Sequence, residues 1–212
     1  MIPVQDVLLF AAACLLMVLT PGPNMIYLIS RSICQGPKAG VVSLLGVVAG
    51  FFVHLFAAAA GLTAVFLAVP MAYEVLKWAG ALYLLWLAWQ AVRPGARSPF
   101  QARQLPADSP ARLVLMGFLT SALNPKIAVF YLSVFPQFIH PGQGSVFTQS
   151  LILGLTQIGV SFTVNLLIAL FAGGLALWFV RNPLWLVVQR YVMGGVLAGL
   201  AVRLMLDQRR LG

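Results

Sequence analysis

Six apolar runs, joined by polar connections, make up most of the chain. They extend from about Val4 to Ser30, Ala39 to Val69, Tyr73 to Val92, Leu113 to Ile139, Val146 to Val180 and Leu184 to Leu206. Each reaches the ~20 residues that carry a helix across the ~30 Å hydrocarbon core of a bilayer. Backbone groups in hydrocarbon have no water to bond, so such runs must be helical. The second and fifth runs exceed one crossing, which predicts tilt, or a break near Gly61 in one and near Gly173-Gly174 in the other. The first run is interrupted by Thr20-Pro21-Gly22-Pro23-Asn24 and the fourth by Asn124-Pro125. Between the third and fourth lies a polar linker rich in proline, Arg93 to Arg112. The pattern predicts an all-α integral membrane protein with one membrane domain: a three-helix half at 1–92, the linker at 93–112 and a second three-helix half at 113–212.

Composition agrees. Only 8% of residues are charged, against about 25% in a soluble globule, too few to clothe a surface in water. The net charge of +9 would admit nucleic acid as a partner, but the basic residues sit between apolar runs, where they set orientation instead. The connections after runs one, three and five carry Arg31, Lys38, Arg93, Arg97, Arg103, Arg112, Arg181 and Arg190. The opposite side carries Lys77, with Arg203, Arg209 and Arg210 near the C-terminal end. The excess predicts a cytoplasmic linker and outward termini, and the C-terminal arginines weigh against it. Asp6 lies at a membrane boundary, solvated, and Glu74 and Lys77 form an interfacial pair. Cys14 and Cys34 have no metal or redox spacing, and no metal or cofactor is expected. The first run lacks a basic leader and a small-residue cleavage site, so it reads as a retained span. Nucleotide-binding, zinc-protease and serine-hydrolase motifs are absent, which speaks against an enzyme. Gly195 and Gly199 form a Gly-x-x-x-Gly that fits helix packing or a homodimer.

The two halves echo each other. Leu19-Thr20-Pro21-Gly22-Pro23-Asn24 lines up with Leu119-Thr120-Ser121-Ala122-Leu123-Asn124. Gly61-Leu62 answers Gly174-Leu175, and Gly80 with Leu87-Ala88 answers Gly194 or Gly195 with Leu200-Ala201. With three spans per half, the second half enters from the opposite face. Inverted repeats with broken helices in matching positions are the architecture of secondary transporters.

The breaks are where chemistry is expected. Pro21 and Pro23 remove N–H donors, and Gly22 loosens the backbone between them. Carbonyls a turn earlier lose their partners, which is tolerable only inside protein or along a wet cavity. Those carbonyls, Thr20 and Asn24 could hydrogen-bond a solute, and a helix N-terminus beyond the break would attract a carboxylate. At the second break, Asn124, Pro125 and Lys126 place a cation roughly 20 Å along the helix from Leu113. Lys126 could bind a carboxylate, give up a proton, or snorkel to the interface. His54 shares a helix face with Gly46, Gly50, Ala57 and Gly61; it is either a proton relay or a packed histidine. Gly154, Gln157, Ser161 and Asn165 form a stripe that should face the interior, as helix-to-helix contact or as a polar path.

These motifs resemble the lysine exporter / homoserine–threonine resistance (LysE/RhtB) family. The residues that carry the resemblance are Thr20-Pro21-Gly22-Pro23-Asn24, Gly36 with Lys38-Ala39-Gly40, Lys77 to Leu84 with Leu87-Ala88, Asn124-Pro125-Lys126, and Phe135-Pro136-Gln137-Phe138. The resemblance spans essentially the whole chain. It implies a proton-motive-force-driven exporter of amino acids in the bacterial cytoplasmic membrane, with Pro21, Gly22, Pro23, Asn24, Asn124, Pro125 and Lys126 at signature positions. It does not fix the substrate. No acidic residue lies at mid-membrane, since Asp6, Glu74, Asp108 and Asp207 are at edges or in loops. That favours neutral amino acids such as homoserine, threonine or leucine. A passive channel and a membrane-embedded enzyme or assembly factor are the alternatives.

Overall fold

A computed structural model describes residues 2–20, 22–68 and 107–181, with scattered residues between 78 and 93 and between 184 and 205. Every regular element among them is helical: α1 (Val4–Leu19), α2 (Pro23–Gln35), α3 (Pro37–Ala68), α4 (Pro110–Ala122), α5 (Pro125–Ser133), two short 3₁₀ turns (Phe135–Phe138 and Pro141–Gln143) and α6 (Val146–Arg181). The third and sixth predicted spans lie mostly outside the described residues, as do Glu74, Lys77, Gly80, Leu87 and Leu200.

Prolines open the helices. Pro23, Pro110 and Pro125 each stand at the start of a helix, where the missing N–H would have had no intrahelical partner. Ser109 caps α4 by accepting from the Arg112 N–H, and Asn124 caps α5 by accepting from the Lys126 N–H. Gly36 ends α2 at φ +85°, a left-handed backbone that suits glycine.

α3 and α6 are long and apolar enough to cross a membrane alone, over Pro37–Gly61 and Val146–Gly174. Of the two outcomes expected there, tilt or a break, the break does not occur. α3 runs through Gly61 and α6 through Gly173-Gly174. A single glycine weakens a helix by only about 1 kcal/mol, and each still has its N–H to donate. The α1–α2 pair turns by 56° and the α4–α5 pair, carried to Phe138, by 44°; each pair meets the spanning criterion jointly, as one broken span or as a re-entrant loop.

α3 and α4 pack backbone to backbone. A Cβ on Gly46 would lie 2.0 Å from the Val114 carbonyl oxygen, and one on Gly117 would lie 2.4 Å from the Ser43 oxygen. Gly50 meets Ser121 in the same way. The predicted small-residue face stops there, because Ala57 is exposed and a Cβ on Gly61 meets nothing within 4 Å. One apolar core joins α1, α3, α5 and α6 through Phe10, Phe51, Leu55, Tyr131, Phe135 and Leu153. The ring of Phe10 packs against Phe130, Phe135 and Phe138 at 5.2–5.8 Å.

Candidate functional site where the two helix breaks meet

An uninterrupted helix would bond the Met17 carbonyl to the N–H of the residue four further on. That residue is Pro21, which has none. The structure fills the gap from the other half of the chain. The Lys126 ammonium donates to the Met17 oxygen at 3.0 Å and to the Thr20 oxygen at 2.6 Å. Lys126 is buried, 7% exposed, so it does not snorkel. It also sits at the C-terminal, negative end of α1, where a cation is favoured. Gly22 makes room for it, since a Cβ there would come within 3.0 Å of Nζ. Pro21 lies outside the described residues.

The two asparagines of the matching hexads touch. Asn124 Nδ2 donates to Asn24 Oδ1 at 3.0 Å, and Asn24 Nδ2 donates to Ser121 Oγ at 3.2 Å. Asn124 Oδ1 is taken by the Lys126 N–H at 3.0 Å. Thr20 turns its hydroxyl back onto the Leu16 oxygen at 2.9 Å, so its carbonyl meets Lys126 and its side chain serves α1. Ser121 was not singled out by sequence. Its position in the second hexad was the available signal.

A cavity of about 20 Å³ opens beside Lys126, lined by Asn24, Asn124, Lys126, Ser161, Asn165 and the apolar Met17, Val18, Met25, Phe51 and Ile127. That volume holds about one water, far less than an amino acid. Among the described residues, none that lines it is acidic. Of the sequence-predicted residues, Asn24, Asn124, Lys126, Ser161 and Asn165 are brought together here, with Gly22 and Pro23 in the bend behind them and Pro125 opening α5.

The α6 stripe does face inward: Gln157 and Ser161 are fully buried and Asn165 is 2% exposed. Tyr131 donates to Gln157 Oε1 at 2.8 Å, and Gln157 Nε2 donates to Ser161 Oγ at 2.8 Å. Tyr131 also stacks on His54, with ring centroids 6.0 Å apart. His54 itself is 2.9 Å from the Ser121 carbonyl oxygen, against α4 and outside the cavity lining. Tyr131 was missed by sequence, since an aromatic within an apolar run reads as core.

Polar ties close both ends of the bent pairs. Asp6, at the start of α1, is not simply solvated: its Oδ2 lies 2.8 Å from His140 Nε2, beyond α5. The His140 backbone is clamped in turn by Gln149 of α6, which accepts from its N–H and donates to its oxygen, both at 2.9 Å. At the other end, Asp108 before α4 pairs with Arg31 in the last turns of α2, and with Arg112 at 3.0 Å. Arg31 is buried, lies 5.6 Å from the Tyr27 ring centroid, and is a structural ion-pair partner as well as a loop-side charge. The arrangement is reciprocal. The acid at the start of each bent pair meets the base at the end of the other.

The chain is 37% identical over 169 residues to a homoserine/homoserine lactone efflux protein of Salmonella typhimurium, covering 79% of this chain and 80% of the relative. It is 33% identical to a leucine efflux protein of an Enterobacter species, covering 68% and 69%. It is 30% identical to an uncharacterised membrane protein of Pseudomonas aeruginosa over 95% of both. No solved structure matches. The LysE type translocator family matches residues 15–208, and the chain belongs to that family, whose members are membrane translocators of amino acids and not enzymes.

Proposed function

We propose that this protein is a secondary exporter of small neutral amino acids, homoserine-, threonine- or leucine-like, in the bacterial cytoplasmic membrane, driven by the proton motive force. Six spans in two inverted three-helix halves would alternate access to a site between the two breaks. The single observation that carries this reading is the seat of Lys126 on the Met17 and Thr20 carbonyls. A buried cation fixed to a broken helix, beside the N-terminus of α2, is a site for a carboxylate. The absence of acid from the cavity lining supports neutral substrates, and relatives named for homoserine and leucine efflux agree. Lys126 or His54 would couple proton movement to export.

The reciprocal ties would act as gates. With the linker in the cytoplasm and the termini outside, Arg31–Asp108 closes the inner end and Asp6–His140 the outer. The small cavity between them fits the occluded step of such a cycle. Gly195 and Gly199, where a Cβ meets nothing within 4 Å, are available for a homodimer contact.

The test is efflux of labelled amino acids from preloaded proteoliposomes, with and without an imposed proton gradient. Gradient-dependent release of homoserine, threonine or leucine is expected. Gradient-independent release would make the protein a facilitator, and no release from folded protein would overturn the reading.

A further inference from the structure

The Met17 and Thr20 carbonyls and the side-chain oxygens of Asn24 and Asn124 at the two breaks are already engaged. Met17 and Thr20 carbonyls hold Lys126. Asn24 Oδ1 accepts from Asn124, and Asn124 Oδ1 accepts from the Lys126 N–H. Among the described side chains that line the cavity, one buried acceptor is left over. Asn165 Oδ1 is buried and, among the described residues, has no hydrogen-bond partner. Its orientation is fixed chemically. Asn165 Nδ2 donates to the Ser161 carbonyl at 2.8 Å, and turning the amide over would set oxygen against oxygen. Asn165 lines the same cavity as Lys126, together with Ser161.

A buried carbonyl without a donor is unfavourable and calls for a reason. A cavity lined by both a cation and an orphaned acceptor has the polarity of a zwitterion.

We propose that Asn165 Oδ1 is the acceptor for the substrate's α-ammonium group, opposite Lys126, and that it makes this site selective for α-amino acids over other carboxylates. The inference rests on the exporter reading and deepens it. Lys126 keeps its two carbonyls and offers its remaining N–H to the carboxylate, while the ammonium donates to Asn165. The amide is neutral, so it accepts one ammonium without adding a negative charge to attract a second. Ser161, whose hydroxyl is turned to Gln157, holds Asn165 through its carbonyl.

Selectivity tests this better than affinity, because a merely structural Asn165 would weaken all ligands alike. The experiment measures binding of leucine and of its α-hydroxy analogue, which lacks only the ammonium, to purified full-length protein. Wild type should prefer leucine by about tenfold or more, the scale of a hydrogen bond to a charged group. Asn165→Leu should bring the ratio close to one. A ratio unchanged in folded Asn165→Leu overturns the proposal. Should that variant fail to fold, Asn165→Ala decides. It removes the same acceptor without adding bulk and should also bring the ratio close to one, and an unchanged ratio overturns the inference. A wild-type protein that binds neither leucine nor homoserine would overturn the exporter reading itself, a result distinct from unaltered selectivity.

Discussion

Replacing Gly46 by alanine tests the α3–α4 contact on which the site is mounted. The added methyl would lie 2.0 Å from the Val114 oxygen and 2.8 Å from the Phe118 nitrogen. Both are backbone atoms, so no rotamer change relieves the overlap, and the helices must part by on the order of 1 Å to reach van der Waals contact near 3.0–3.5 Å. Overpacking of this kind destabilises by about 1–3 kcal/mol, roughly five- to 150-fold in the folded-to-unfolded ratio. The shift also carries α4 away from His54, whose ring is 2.9 Å from the Ser121 oxygen, and disturbs the Asn24–Ser121 bond of 3.2 Å. Gly46→Ala should therefore lower both stability and export. Gly61→Ala is the control on the same helix: its Cβ meets nothing within 4 Å, so it should lose nothing. The assay is reversible unfolding in mixed micelles, with transport measured on the same samples. Equal stability of the two variants would refute close packing of α3 on α4.

Three further perturbations probe the polar contacts. A double-mutant cycle of Asn24→Ala and Asn124→Ala should give a coupling of about 0.6 kcal/mol, with a ceiling near ~1.7, the range measured for hydrogen bonds between membrane helices; zero coupling in unfolding titrations would contradict the 3.0 Å contact. Cysteines at Asp6 and His140, with Cys14 and Cys34 replaced by alanine, should be joined by a short thiol cross-linker, and joining them should stop transport until reduction; full activity of the cross-linked protein would remove that pair as a gate. Asp108→Asn leaves Arg31 buried without its counter-charge, which should destabilise by about 3–5 kcal/mol, while Arg112→Gln, at an exposed partner, should change stability by less than about 1 kcal/mol.

How much of this could be read from the chain depends on the range of each interaction. The apolar runs located α3 and α6, because length in a low-charge segment is a local property. Pro21 announced an unpartnered carbonyl four residues earlier. What fills it could not be read, because the Lys126 ammonium arrives from 109 positions away. The two hexads marked Asn24 and Asn124 separately, and only tertiary structure sets them in contact. Prolines expected to interrupt the first and fourth runs do so by starting the next helix, since a flanking glycine or asparagine ends the preceding turn first. Of the tilt or break expected of α3 and α6, the break near the glycines does not occur, because apolar packing along an otherwise regular helix outweighs their weak propensity. Asp6 and Arg31 looked like boundary charges because their partners, His140 and Asp108, lie in segments without periodicity. The inward direction of Gln157, Ser161 and Asn165 followed from their spacing, whereas the orphaned oxygen of Asn165 depends on which way one amide turns.

The claim at the centre of this account is that an amino acid binds where the two helix breaks meet. Equilibrium binding of labelled homoserine and leucine to purified wild type and Lys126→Met tests it directly. Methionine keeps most of the side-chain volume and removes the cation, so helical content and monodispersity should persist. Wild type should bind saturably, and Lys126→Met should lose at least about tenfold in affinity, the scale of one charge-assisted hydrogen bond. Unchanged affinity in a folded Lys126→Met protein would contradict it and move the binding site away from the breaks.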